Sequence, residues 1–71
     1  MPLHEAIDRV LGESKRPMSS RELADEINAR GLYIRPSDGE PLQAKQVAAR
    51  VRGRTYRDQY RIDGDHRISL A

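Results

Sequence analysis

The 71-residue sequence has no cysteine, no tryptophan and no phenylalanine. Without cysteine there is neither a disulfide scaffold nor a zinc site built on thiolates, and the composition is compatible with a reducing cytosol. A hydrophobic core has to be built from aliphatic side chains with help from the three tyrosines. No apolar run approaches the ~20 residues of a membrane-spanning helix. We therefore expect one small domain of modest stability, with no membrane partner.

Residues with catalytic potential are few and scattered. The histidines, His4 and His66, lie near opposite ends of the chain, and no cluster with metal-ligand spacing surrounds either of them. Ser19 and Glu22 have the spacing of a helix-capping box, which explains both residues without chemistry. The acidic pair at 63–65 is not followed by a calcium-binding loop, and no glycine-rich phosphate loop is present. We therefore expect no enzymatic activity, no cofactor, no bound metal and no small-molecule substrate.

Charge is distributed unevenly along the chain. Residues 1–42 hold six basic and eight acidic side chains, a balance of −2, whereas residues 43–71 hold seven basic and three acidic ones, a balance of +4. The seven basic residues are Lys45, Arg50, Arg52, Arg54, Arg57, Arg61 and Arg67. A basic segment of this kind is either a phosphate-binding face or a solvated surface, and charge alone does not choose between them.

Hydrophobic periodicity predicts three helices, over 3–14, 20–30 and 43–53. The first has apolar residues at i, i+3, i+4, i+7 and i+8, and the second begins at the capping box. In the third, the inward stripe is predicted to consist of Ala44, Val47, Ala48 and Val51. Gly31 and Gly53 stand where the second and third helices are expected to end.

The remaining segment predicts an antiparallel hairpin over 59–63 and 67–70. Tyr60, Ile62, Ile68 and Leu70 alternate with polar residues, the period expected when one face of a strand is buried. All four side chains share the core face only if the loop has an odd number of residues, which predicts a three-residue loop over 64–66.

Three helices followed by a C-terminal hairpin predict an α+β fold, a small winged helix-turn-helix domain spanning residues 1–71. Winged helices of this kind place a minimal first strand before the second helix, and the extended stretch around Pro17 and Met18 is expected to pair with the wing. Because the chain stops almost at the last residue of the predicted final strand, we expect this domain to be a module of a longer protein.

The residues that carry these signals also resemble a known family. Ala6-Ile7 and Val10-Leu11 in the first helix, the stretch RPMSSREL at 16–23 and Gly31-Leu32-Tyr33 follow in the order and spacing of HARE-type helix-turn-helix domains. The similarity continues through Gly39-Glu40-Pro41 and ends at the strand 67–70. Such domains occur in restriction endonucleases, in chromatin proteins and in the delta subunit of bacterial RNA polymerase.

The resemblance implies a double-stranded DNA-binding module that targets a covalently attached nuclease or another DNA-acting domain, located in the cytoplasm of a bacterium in association with the nucleoid. Two features depart from this expectation. The connection at 31–41 is much longer than that of a compact helix-turn-helix, and Asp63 and Asp65 put negative charge beside the wing tip. A protein-docking module of a transcription or chromatin complex is the alternative, and a purely architectural spacer is a third hypothesis.

If helix 3 binds DNA in the major groove, its outward face supplies the contacts. The helical repeat turns Leu42, Gln46, Ala49 and Gly53 away from the core, with basic side chains on both flanks. The predicted DNA-binding residues are Gln43, Lys45, Gln46, Ala49, Arg50, Arg52, Arg54 and Arg57. Tyr33 and Tyr56 are ambiguous, because each suits either a phosphate contact or the margin of the core, and Tyr60 is assigned to the core.

Overall fold

A computed structural model describes all 71 residues of the chain. Its elements are α1 (Leu3–Ser14), β1 (Met18–Ser19), α2 (Ser20–Arg30), α3 (Ala44–Arg52), a 3-10 turn (Arg57–Gln59), β2 (Tyr60–Ile62) and β3 (Arg67–Leu70). The three strands form one sheet in the order β1-β3-β2. The predicted α+β fold is confirmed, and the arrangement is consistent with a winged helix.

The step between α1 and α2 is fixed by local hydrogen bonds. Lys15 ends α1 in the left-handed conformation, with φ of 54°. Ser19 and Glu22 form the predicted capping box, in which the Glu22 N–H donates to Ser19 Oγ (3.0 Å) and the Ser19 N–H donates to Glu22 Oε1 (2.9 Å). This bond from the Ser19 backbone lowers the pKa of Glu22. The caps thus start α2 immediately after the two-residue strand β1.

A side-chain clamp holds the long connection between α2 and α3. The Asn28 amide donates to the Leu42 carbonyl oxygen (2.9 Å), and its own oxygen accepts from the Leu42 N–H (2.9 Å). Leu42 is consequently buried, with 4% of its surface exposed, and the prediction that it points outward was wrong. The helical repeat does not apply to Leu42, because α3 begins two residues later, at Ala44.

The hairpin has the predicted register. Tyr60 pairs with Leu70 and Ile62 with Ile68, and β3 also pairs with β1 through Met18 and Ile68. The loop comprises residues 64–66, and its last residue, His66, has φ of 62°, as expected where a type I turn closes a three-residue hairpin loop. The predicted loop length and the predicted pairing of the first strand with the wing are both confirmed.

Two hairpin side chains predicted to be buried are exposed. Tyr60 and Ile68 retain 6% and 2% of their surface, but Ile62 and Leu70 retain 38% and 44%. Strand parity assigned all four side chains to one face correctly, but each cross-strand pair on that face has one buried and one exposed member. Coverage of this face is therefore decided by tertiary packing and not by strand parity.

One cluster of fourteen buried residues forms the core. All three helices contribute to it, and Met18, Leu42, Tyr60 and Ile68 close it from the strands and the connection. In α3 only Val47 and Val51 are buried, because Ala44 and Ala48 of the predicted inward stripe lie at its margin. The Tyr60 hydroxyl donates to Asp8 Oδ1 (2.6 Å), which ties the hairpin to α1.

Candidate nucleic-acid interface

The outward face of α3 is basic and centred on a small residue. Val47 and Val51 point into the core, and Ala49 lies opposite them, exposed. Lys45 and Arg52 are exposed on one side of Ala49. A helix with a small residue at the centre of its open face approaches a nucleic-acid surface closely, and the flanking cations are then within reach of phosphates.

Gln46 has a structural task that the sequence analysis missed. Its Oε1 accepts the N–H of Gln43 (3.0 Å), so that its side chain satisfies a free donor at the start of α3. The signal was present in the spacing of Gln43 and Gln46, which is that of a capping box. Reading adenine would require the same oxygen to accept from the base, so base recognition by Gln46 competes with the cap.

On the other side of Ala49, α3 borders an open groove of about 380 Å³. The groove runs between α3, the turn that follows it and the beginning of α1, where Leu3 forms part of the wall. Its polar lining consists of Tyr33, Gln46, Arg50, Arg54, Thr55 and Tyr56. No carboxylate lines it, so the groove is electropositive and rich in hydrogen-bond donors.

Tyr56 links this groove to α1. Its ring stacks on the His4 ring, with centroids 4.7 Å apart and planes inclined by 24°. The guanidinium carbon of Arg50 lies 5.6 Å from the centroid of the same ring, within the range of a cation–π contact. Nδ1 of His4 is buried and has no hydrogen-bond partner. Through Tyr56, these contacts link His4 of α1 to Arg50 of α3.

Ion pairing divides the cations of the protein into two groups. The five ion pairs join Arg16 to Glu22, Arg21 to Asp25, Arg30 to Glu13 and Glu26, and Arg35 to Asp38. All of these residues precede α3. None of the seven basic side chains in residues 43–71 forms an ion pair, so their charges are available to an external anion.

The predicted DNA-binding residues fall into three places. Lys45, Ala49 and Arg52 lie on the exposed side of α3, and Gln43 is its exposed N-cap. Gln46, Arg50 and Arg54 line the groove, to which Ala49 also contributes. Arg57 is exposed in the 3-10 turn. The structure therefore brings all eight to one helix and the turn beyond it. Thr55, which sequence reasoning did not consider, and the ambiguous Tyr33 and Tyr56 join them in the groove.

No family model, curated protein or solved structure matches the chain. Within the protein, no group of three or more His, Cys, Asp or Glu side chains is arranged to hold a metal ion. None of the helices has the length and apolar character needed to cross a bilayer.

The wing tip has a different character from α3. Oδ1 of Asp63 accepts the N–H groups of Asp65 and Arg67, both at 2.9 Å, and so stabilises the loop. Asp65 is exposed beside it. Two carboxylates at the tip disfavour an approach to phosphate. The exposed Arg61 and Arg67 stand further along the hairpin, on the face opposite Tyr60 and Ile68.

Proposed function

We propose that this domain is a non-catalytic module that binds double-stranded DNA, with α3 in the major groove. Its task would be to target an attached nuclease or other DNA-acting domain to DNA, in the cytoplasm and nucleoid of a bacterium. The observation that carries the proposal is the division of the cations. Basic side chains before α3 mostly pair with carboxylates of the protein, whereas those of α3 and the segment after it have no such partner.

Three further points support DNA as the ligand. Ala49 at the centre of the open face of α3 allows close approach to a groove, and Lys45 and Arg52 flank it. The fold is consistent with a winged helix, an architecture that presents its third helix to DNA. The sequence resembles HARE-type domains, whose members work in nucleases and chromatin proteins. The docking-module alternative expects an apolar or acidic patch on α3, whereas the large exposed hydrophobic side chains of this protein lie elsewhere, at Met1, Ile34, Ile62 and Leu70.

The test is titration of a fluorescently labelled duplex, followed by anisotropy, at two salt concentrations. We expect an affinity in the micromolar range or weaker, since one small module makes few phosphate contacts. The affinity should decrease steeply with salt, with log K falling by ~0.9 per log unit of salt for each phosphate neutralised. The double reversal Lys45→Glu with Arg50→Glu should abolish binding.

A matched variant separates local from overall charge. Lys15→Glu with Arg16→Glu changes the net charge by the same amount at the far end of α1, roughly 18 Å along the helix from the groove. We expect it to bind nearly as well as the wild type, and circular dichroism should show both variants folded. No binding at low salt would favour the protein-docking alternative. Equal losses in both double variants would mean that α3 is not the DNA-binding face.

A further inference from the structure

The groove beside α3 offers an anion a set of donors that the protein itself does not use. Arg50 and Arg54 border it without an ion-pair partner, and the Thr55 hydroxyl makes no hydrogen bond within the protein. No carboxylate stands among the lining residues to repel a negative group. The chemistry of the lining therefore fits a phosphate group better than a cation or a neutral apolar ligand.

The aromatic residues of the groove do not form a free stacking platform. One face of the Tyr56 ring is covered by His4 and the ring also carries the Arg50 guanidinium. Tyr33, which also lines the groove, is partly buried and packs against the core. A nucleobase needs an open aromatic face for stacking, and at Tyr56 it would compete with both His4 and the Arg50 guanidinium. Tyr56 instead limits the positions that the Arg50 side chain adopts, and so acts as a positioning residue for the cation.

We propose that the groove between α3 and the beginning of α1 binds a backbone phosphate of duplex DNA, held by Arg50, Arg54 and the Thr55 hydroxyl, with Arg50 oriented by the His4–Tyr56 stack. The inference rests on the proposed function and specifies it further. Part of the phosphate binding is thereby assigned to the turn after α3. The wing tip is not assigned this role, because it carries the carboxylates of Asp63 and Asp65. A contact of this kind fixes the orientation of α3 on the duplex without reading sequence.

The experiment uses a series of labelled duplexes, each with one phosphate replaced by an uncharged methylphosphonate. In the wild type, one or two positions should weaken binding by roughly tenfold, the effect of losing one charge-assisted hydrogen bond. In Arg54→Gln, the same methylphosphonate replacements should weaken DNA binding by less than about twofold, because the side chain that contacts the replaced phosphate is gone. Arg9→Gln removes one exposed charge from α1, outside the groove, and should leave the tenfold effect in place.

Two substitutions at one position test the role of the ring. Tyr56→Phe keeps the stack and the cation–π contact and should preserve the effect of the uncharged linkage. Tyr56→Leu should reduce the effect of the uncharged linkage, and it should also lower the affinity for the unmodified duplex by about two- to fivefold. Circular dichroism and a urea melt report whether each variant is folded, and Tyr56→Phe provides the comparison if Tyr56→Leu is not.

The outcomes distinguish this inference from the proposal on which it rests. Absence of duplex binding by the wild type overturns both. Duplex binding with no coupling between Arg54 and any single phosphate overturns only the assignment of the groove. Tighter binding to single-stranded or mismatched DNA than to an intact duplex, lost in Tyr56→Leu, would show that the groove takes an unstacked base instead.

Discussion

Replacing Ile27 by alanine tests the core most directly. Ile27 lies in α2 with none of its surface exposed, among the largest fully buried side chains. The substitution removes three carbon atoms, worth about 2.4 kcal/mol at ~0.8 kcal/mol per methylene-sized group. The cavity that remains adds to this, so we expect a total loss of about 3–4 kcal/mol. A domain of 71 residues is expected to be stable by only about 4–11 kcal/mol, so the loss is a large fraction of the whole.

Urea denaturation followed by circular dichroism measures this loss. With a slope of about 1 kcal/mol per molar urea, the midpoint should fall by about 3 M at unchanged slope. The matched control is Ile34→Ala, which removes the same atoms from a side chain that is 70% exposed, and it should cost less than about 0.5 kcal/mol. Should Ile27→Ala leave too little folded protein, Ile27→Val is expected to cost about 0.5–1.5 kcal/mol. A loss below about 1 kcal/mol for Ile27→Ala, or equal losses at both positions, would refute the core described here.

Three further substitutions follow from individual contacts. Asn28→Asp loses the donor to the Leu42 carbonyl oxygen and places a charge beside it, so thermal melts should show a loss of about 1–3 kcal/mol, and an unchanged midpoint would contradict the clamp. Burial and the hydrogen bond to Asp8 raise the pKa of Tyr60 in the folded protein above its ordinary value of 10.0. Because the tyrosine loses its proton at a lower pH in the unfolded chain, the free energy of unfolding should fall as the pH rises above 10. Tyr60→Phe should remove that alkaline decline; a decline that persists in the variant would rule out Tyr60 as its cause. His66→Gly relieves the left-handed conformation in the wing loop and should raise stability by up to about 1 kcal/mol, which a lower melting temperature would contradict.

Local signals predicted the elements well because each depends on few residues. The Ser19–Glu22 capping box marked the start of α2, and the alternation along the hairpin, with its parity, predicted both the register and the length of the loop. The errors arose where the outcome depends on coverage by distant parts of the chain. Parity assigns Ile62 to a face, but whether a helix covers it is decided by tertiary packing.

The candidate site was predictable only in part for the same reason. The helical repeat placed Lys45, Ala49 and Arg52 on an open face, because α3 is regular. The groove could not be predicted, since it brings Tyr33 and Tyr56 together from segments far apart in the sequence. Nor does a count of charges reveal which cations are ion-paired, and that distinction is the main support for the proposed function.

The position of β3 at the centre of the sheet has a consequence for folding kinetics. Most contacts among the helices join consecutive helices, whereas β3 must pair with β1 near the beginning of the chain as well as with β2. Closing so large a loop costs conformational entropy, and this cost slows the pairing of β3 with β1. We therefore expect the helices to associate early and Ile68 to reach Met18 late. If unfolding reverses this order of events, β3 is the first element to separate from the rest of the domain. Amide hydrogens of β2 and β3 should then exchange with solvent through partial openings, at lower free energy than those of the buried faces of α1 and α2.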